Sequence, residues 1–117
     1  KSLLAEGEAD PDPRLLEELM RQRLMDVHIS DIEGLGFTNW RKLMPVLVQY
    51  GVQASPHAWG SLLKSYYTAH LAGGLGNTVT IEGVTSTSDD VDLSGYRIVN
   101  GRLVPPDAPG FGMKLLR

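Results

Sequence analysis

Glu8, Asp31, His57 and Glu82 are spaced by 23, 26 and 25 residues, and each follows or ends a short apolar run. Carboxylates gathered with one imidazole can hold a hard divalent cation and move a proton. Each interval matches one strand plus one helix, which would return all four side chains to the same carboxyl rim of a parallel sheet, where such sheets do their chemistry. Four ionisable groups in one rim are unfavourable without a metal or a substrate to offset them. Each also has a plainer reading on its own. Asp31 is equally a helix cap, His57 a hydrogen-bonded structural histidine, and Glu8 a solvated carboxylate beside Glu6 and Asp10. Glu82 is harder to set aside, because it continues the alternation of "TVTIE" in a run expected to be buried. Together the four point to a site.

The elements that must position them repeat. "SLLAE" is followed by "DPDP", a helix-entry signal with Pro13 suited to a first turn, and by Leu15, Leu16, Leu19, Met20 and Leu24 at helical spacing. "DVHIS" leads through the Gly-rich turn "EGLG" to a helix predicted from Asn39 to Tyr50, with Thr38 as N-cap, a kink at Pro45 and Gly51 as C-cap. "VQASP" leads to a helix predicted from Trp59 to Leu71, with Leu62, Leu63, Tyr66, Tyr67 and His70 on one face and "GGLGN" at its end. "TVTIE" is followed only by the polar stretch "TSTSDDVD". Asn100-Gly101 between two apolar runs predicts a hairpin with a type I′ turn. Strand-helix alternation implies a parallel sheet covered by helices. An eight-stranded barrel of this kind needs about 250 residues, so four strands are half a closure, and an open sheet is the alternative. His28, inside a strand, and His70, on an apolar helix face, read as structural. Trp40 reads as packing, while Trp59 fits either a pocket border or a packed loop. The glycines of "GGLGN" precede a strand and make a poor phosphate loop.

Composition removes several function classes. A net charge of -3 with eleven scattered Lys and Arg leaves no basic surface for nucleic acid. No apolar run approaches the roughly 20 residues of a membrane span, and no leader pattern opens the chain, so a soluble, cytoplasmic protein is expected. The absence of cysteine excludes disulfides and thiolate metal sites. With Lys1 in place of methionine at the start, the 117 residues are expected to be a processed product or a piece of something longer.

The runs "LLAEGE", "DVHISDIEGLGFTNWRKL", "YGVQASPHAWGSLLKSYYTAHLAGGLGN", "TIEG" and "NGRLVPPDAPGFGMKL", in that order, resemble the carboxyl-terminal part of an enolase-superfamily enzyme. The likeness is to the mandelate racemase-like subgroup, which includes acid-sugar dehydratases, and it covers nearly the whole chain. It implies an α/β fold, the C-terminal half of a TIM-type barrel in residues 1–83, and a hairpin tail in 84–117 that packs on a capping domain. It also implies a role for each rim residue. Glu8 would be a ligand of Mg2+, Asp31 and His57 an acid–base dyad, and Glu82 a protonated donor beside the substrate carboxylate. The implied reaction is removal of the proton next to a carboxylate, followed by loss of water from a sugar acid. Racemisation or epimerisation of a 2-hydroxy acid is the alternative within the class. A non-catalytic half-barrel fragment is the alternative outside it. A muconate-type cycloisomerase fits less well, since it would carry lysine on these strands.

The sequence departs from the family pattern in what it lacks. Two further metal-binding acids and a Lys-x-Lys base are absent, since Lys1, Lys42, Lys64 and Lys114 have no such spacing. The resemblance therefore implies a missing N-terminal half as a partner. A half barrel would expose two sheet edges, so the isolated chain is expected to aggregate or form a homo-oligomer.

Overall fold

A computed structural model describes residues 2–9, 11–60, 62–83 and 88–116. Asp10 of the "DPDP" signal, and positions 85–87 of "TSTSDDVD", lie outside them. Three short strands, β1 (Ala5–Glu6), β2 (Val27–His28) and β3 (Gln53–Ala54), form a parallel sheet in that order. Ala5 pairs with Val27 and Glu6 with His28, and these pair in turn with Gln53 and Ala54. "TVTIE" joins only at its start, where Thr78 bridges Ala54 and the Val79 amide donates to the Ala54 carbonyl. Beyond that point residues 79–83 run without ladder pairing, so Glu82 does not end a regular strand as expected.

Helix α1 (Pro13–Arg21) starts as the sequence indicates. Asp12 caps it by accepting from the Arg14 amide, Pro13 holds the first position, and Leu16 and Met20, one turn apart, are buried. The chain leaves the helix at Gln22, so Leu24 falls outside it and is exposed, as is Leu15. The "EGLG" turn is itself a short helix, α2 (Ile32–Leu35), capped by Asp31. Helix α3 (Phe37–Tyr50) therefore begins before Thr38, which lies in its first turn; Gly36 is the cap and makes no side-chain bond. The helix continues through Pro45 and ends at Gly51 in the left-handed conformation. Trp40, Met44 and Leu47 line its inner stripe and meet Leu16, Met20, Met25, Ile32, Val52 and Leu71 in one core.

Helix α4 (Leu62–Leu75) presents an unexpected face to that core. Its buried residues are the small or polar Ser65, Thr68 and Ala69, with Leu71. The large face read from the sequence meets the tail: Tyr66 packs on Tyr96, Tyr67 on Phe111, and His70 on both Tyr96 and Phe111. Close approach to α2 and α3 favours small residues, while the aromatic side needs a cover of its own. The Tyr96 hydroxyl donates to the Phe111 carbonyl at 2.5 Å and lies 2.7 Å from His70 Nε2. Burial, with the nearby Tyr66 and Tyr67, pushes the Tyr96 phenol up to about 12, which keeps it a donor. Glycines 73 and 74 fall in the last turns of α4.

The tail carries β4 (Val91–Asp92) antiparallel to β7 (Lys114–Leu115), and a hairpin of β5 (Arg97–Val99) and β6 (Arg102–Val104). Asn100 and Gly101 both have positive φ, 51° and 73°, as the type I′ turn requires. No helix among the described residues is long and apolar enough to cross a membrane.

Candidate active site

The sheet ladder itself brings the acid and the imidazole together. Past the ends of β2 and β3, Asp31 and His57 are direct parallel bridge partners, with the Ile32 amide donating to the His57 carbonyl and the His57 amide to the Ser30 carbonyl. Neighbours in register project to the same face, and the side chains meet: His57 Nδ1 lies 3.0 Å from Asp31 Oδ2. One strand further out, the Asp31 amide donates to the Glu8 carbonyl, which sets Glu8 at the same level. Gly7 allows this turn. Its φ is 100°, and a Cβ there would come within 3.1 Å of the His28 ring.

The other three expected residues converge on His57. Its Nε2 is 3.3 Å from Glu8 Oε1 and 3.9 Å from Glu82 Oε2. Glu82, which lies outside a regular strand, is held by a bond from the Ala58 amide to Oε2 at 2.6 Å, and its carbonyl accepts from Ser65 Oγ. It is half-buried rather than interior. Glu8 is the open member, with its side chain 57% exposed. A cavity of about 630 Å³ adjoins the group, walled by Glu8, Asp31 and His57 on the rim and by Leu16, Met20 and Leu43 beneath.

Asp31 is at once the helix cap and the histidine's partner. Oδ1 accepts from the amides of Glu33 and Gly34, both at 2.8 Å, and Oδ2 faces His57 and Lys64. Burial pushes its carboxyl upward, but the Lys64 ammonium, the two amides and His57 outweigh that and hold it well below the usual carboxylate range. Asp31 therefore stays an anion throughout the physiological range, and the stability this brings is lost only below pH 3.8. With Asp31 an acceptor, Nδ1 of His57 is the protonated nitrogen, and Nε2 is the one turned towards Glu8 and Glu82.

Lys64 is the member that sequence reasoning missed. It was weighed only as half of an absent Lys-x-Lys pair. The available signal was its place seven residues after His57, in the first turn of the helix that follows that strand end.

His28 lies at the base of the cavity, 2% exposed, with its ring edge-on to the fully buried Trp40 at 5.3 Å and, among the described residues, no hydrogen bond to either ring nitrogen. Burial drives its pKa from 6.5 down to about 4. As pH falls, the unfolded chain takes up this proton first, so the folded state loses stability between pH 6.5 and about 4. Urea unfolding at pH 5 is expected to show about 2 kcal/mol less stability from this residue than at pH 7. A His28→Leu variant should show a correspondingly smaller difference between the two conditions, and an equal difference would show that the ring is already charged in the fold. Trp40 is thus a packing residue as expected, while Trp59 is exposed on the rim.

Several solved structures resemble this chain along nearly its whole length. Galacturonate dehydratase from Geobacillus sp., complexed with D-galacturonate and 5-keto-4-deoxy-D-galacturonate, is 36% identical with a TM-score of 0.81, over 98% of this chain and 31% of that one. A mandelate racemase/muconate lactonizing protein from Geobacillus sp. Y412MC10, complexed with magnesium and tartrate, is 36% identical with a TM-score of 0.78, over 97% and 29%. A mandelate racemase/muconate lactonizing enzyme-like protein from Roseovarius sp. TM1035 shares the fold at 20% identity, with a TM-score of 0.80 over 97% and 29%. The chain thus spans about a third of the length of these structures. No curated protein sequence matches it significantly. Residues 3–117 match the enolase C-terminal domain-like family, and the chain belongs to that family.

Proposed function

We propose that this chain supplies the carboxyl-terminal share of the active site of a Mg2+-dependent acid-sugar dehydratase. The observation that carries the reading is the 3.0 Å contact between His57 Nδ1 and Asp31 Oδ2, which leaves Nε2 facing two further carboxylates beside a cavity. In this reading residues 1–83 are the last strands and helices of a barrel, and 84–117 a tail that meets a capping domain. The open sheet edge at β1 is where the other half pairs, and the assembly works in the cytoplasm.

Glu8 suits a hard cation by its chemistry, an exposed carboxylate oxygen at the rim. It is one ligand only, since among the described residues no three His, Cys, Asp or Glu side chains are grouped to hold a metal. The remaining ligands come from the part of the enzyme outside this chain. When bound, Mg2+ supplies positive charge against which a substrate carboxylate is held. His57 Nε2 moves a proton on one face of the substrate: protonated, it gives that proton to the departing β-hydroxyl, which leaves as water. The base on the other face belongs to the missing half. Asp31 keeps the imidazole oriented and supports the charge it acquires. In this reading Glu82 acts in its protonated form, and since Oε2 is occupied by the Ala58 amide, the hydroxyl that donates to the substrate carboxylate is on the other oxygen.

The choice of a sugar acid rests on the D-galacturonate bound in the 36% identical dehydratase. The enzyme containing this chain, given Mg2+ and a panel of sugar acids led by D-galacturonate, is expected to release water and form a keto-deoxy acid. A chelator should stop the reaction and added Mg2+ restore it. Exchange of the proton next to the carboxylate without loss of water would make the enzyme a racemase or epimerase instead. Indifference to chelation would overturn the metal assignment.

A further inference from the structure

Asp31 has four hydrogen-bond approaches, and all are taken. Two amides hold Oδ1, and Oδ2 is shared between His57 Nδ1 at 3.0 Å and Lys64 Nζ at 2.6 Å. The lysine contact is the shortest of the four. Lys64 is also a largely buried cation, its side chain 14% exposed, and so cannot rest on water for its solvation. Its ammonium lies 3.4 Å from the Trp59 carbonyl and 3.9 Å from Glu33 Oε2. The first contact ties it to the loop directly after His57, the second to the helix that Asp31 caps.

We propose that Lys64 is a positioning residue for the Asp31–His57 pair, fixing the Oδ2 that it shares with the imidazole and anchoring the loop that follows the histidine. The proposal rests on reading that pair as the acid–base apparatus. Without the ammonium the carboxylate is anchored at Oδ1 alone, and the slack in those two amide bonds lets the whole planar group tilt and carry Oδ2 away from the imidazole. The imidazole would then lose its fixed partner and with it its single tautomer. A bidentate anchor at one oxygen and a charged clamp at the other together define both the plane and the direction of the carboxylate. Lys64 reaches Asp31 and is not part of the cavity wall, so its loss is expected to act on the chemical step and leave binding alone.

The test uses the complete enzyme, with D-galacturonate and Mg2+ as probe, and the variants Lys64→Met, Lys64→Gln and Lys64→Arg. Misplacement of a catalytic group on the ångström scale lowers rate by up to about 100-fold. We expect Lys64→Met to lower kcat by roughly 10- to 100-fold with KM nearly unchanged, Lys64→Gln to lower it less, and Lys64→Arg to recover most of it. Nitrogen-15 NMR of the His57 ring gives a readout that needs no turnover: one Nδ1-protonated tautomer in the wild type, a mixture in Lys64→Met. Unchanged kcat, or a ring that keeps its single tautomer in Lys64→Met and Lys64→Gln, overturns the proposal. If His57→Asn itself retains turnover, the reading of the pair has failed, and the tautomer comparison alone decides the role of the lysine.

Discussion

Asparagine in place of His57 is expected to lower turnover by about 100- to 10,000-fold, the usual contribution of a positioned general acid or base. The fold should survive, because the backbone bridge to Asp31 and the amide bond to Ser30 do not involve the ring. The asparagine amide can still donate towards Asp31 Oδ2, so the pair stays hydrogen-bonded while the proton-carrying nitrogen at Nε2 disappears. Loss of kcat with a native melting transition and intact Mg2+ affinity is the expected combination. Turnover within tenfold of the wild type would remove His57 from the chemistry and with it the reading of the rim as an acid–base site.

Substitution of Asp31 is expected to separate its jobs. Asp31→Asn keeps an amide oxygen for the Glu33 and Gly34 amides, and asparagine caps helices about as well as aspartate. It removes the anion from both His57 and Lys64. Turnover should therefore fall nearly as far as in His57→Asn, and the double variant should be little worse than either single one, since the two act as a unit. Asp31→Ala loses the cap too and should be less stable than Asp31→Asn by about 1 kcal/mol. Denaturant midpoints and initial rates of the three variants check this; additive rate losses in the double variant would mean that the aspartate and the histidine work independently.

Much of this arrangement was legible because it follows from chain period. One strand and one helix take a similar number of residues each time, so chemistry-bearing residues one unit apart return to a common rim, and the type I′ turn at Asn100-Gly101 follows from local sterics alone. Boundaries were less legible. Asp31 competes for the role of cap at the very position where a turn was expected, and it starts α2 early enough to pull Thr38 inside α3. What covers α4 was not legible, because periodicity locates a stripe without saying whether the core or a later segment meets it; here the tail does. Lys64 was invisible for a related reason: its partner is 33 residues away, and charge on a helix surface reads as solvated until a carboxylate is found against it.

Helix α4 bears Lys64 near its start and, one and two turns on, Tyr67 and His70, which the tail grips through Phe111 and Tyr96. A helix is stiff over that distance, so the ammonium sits where the aromatic grip sets the rod. On the proposed reading, the tail thereby acts as a splint for a proton-handling pair that it reaches through α4. Sequence drift at Tyr96 or Phe111 would be felt there as a loss of alignment, with no change in any group that meets the substrate.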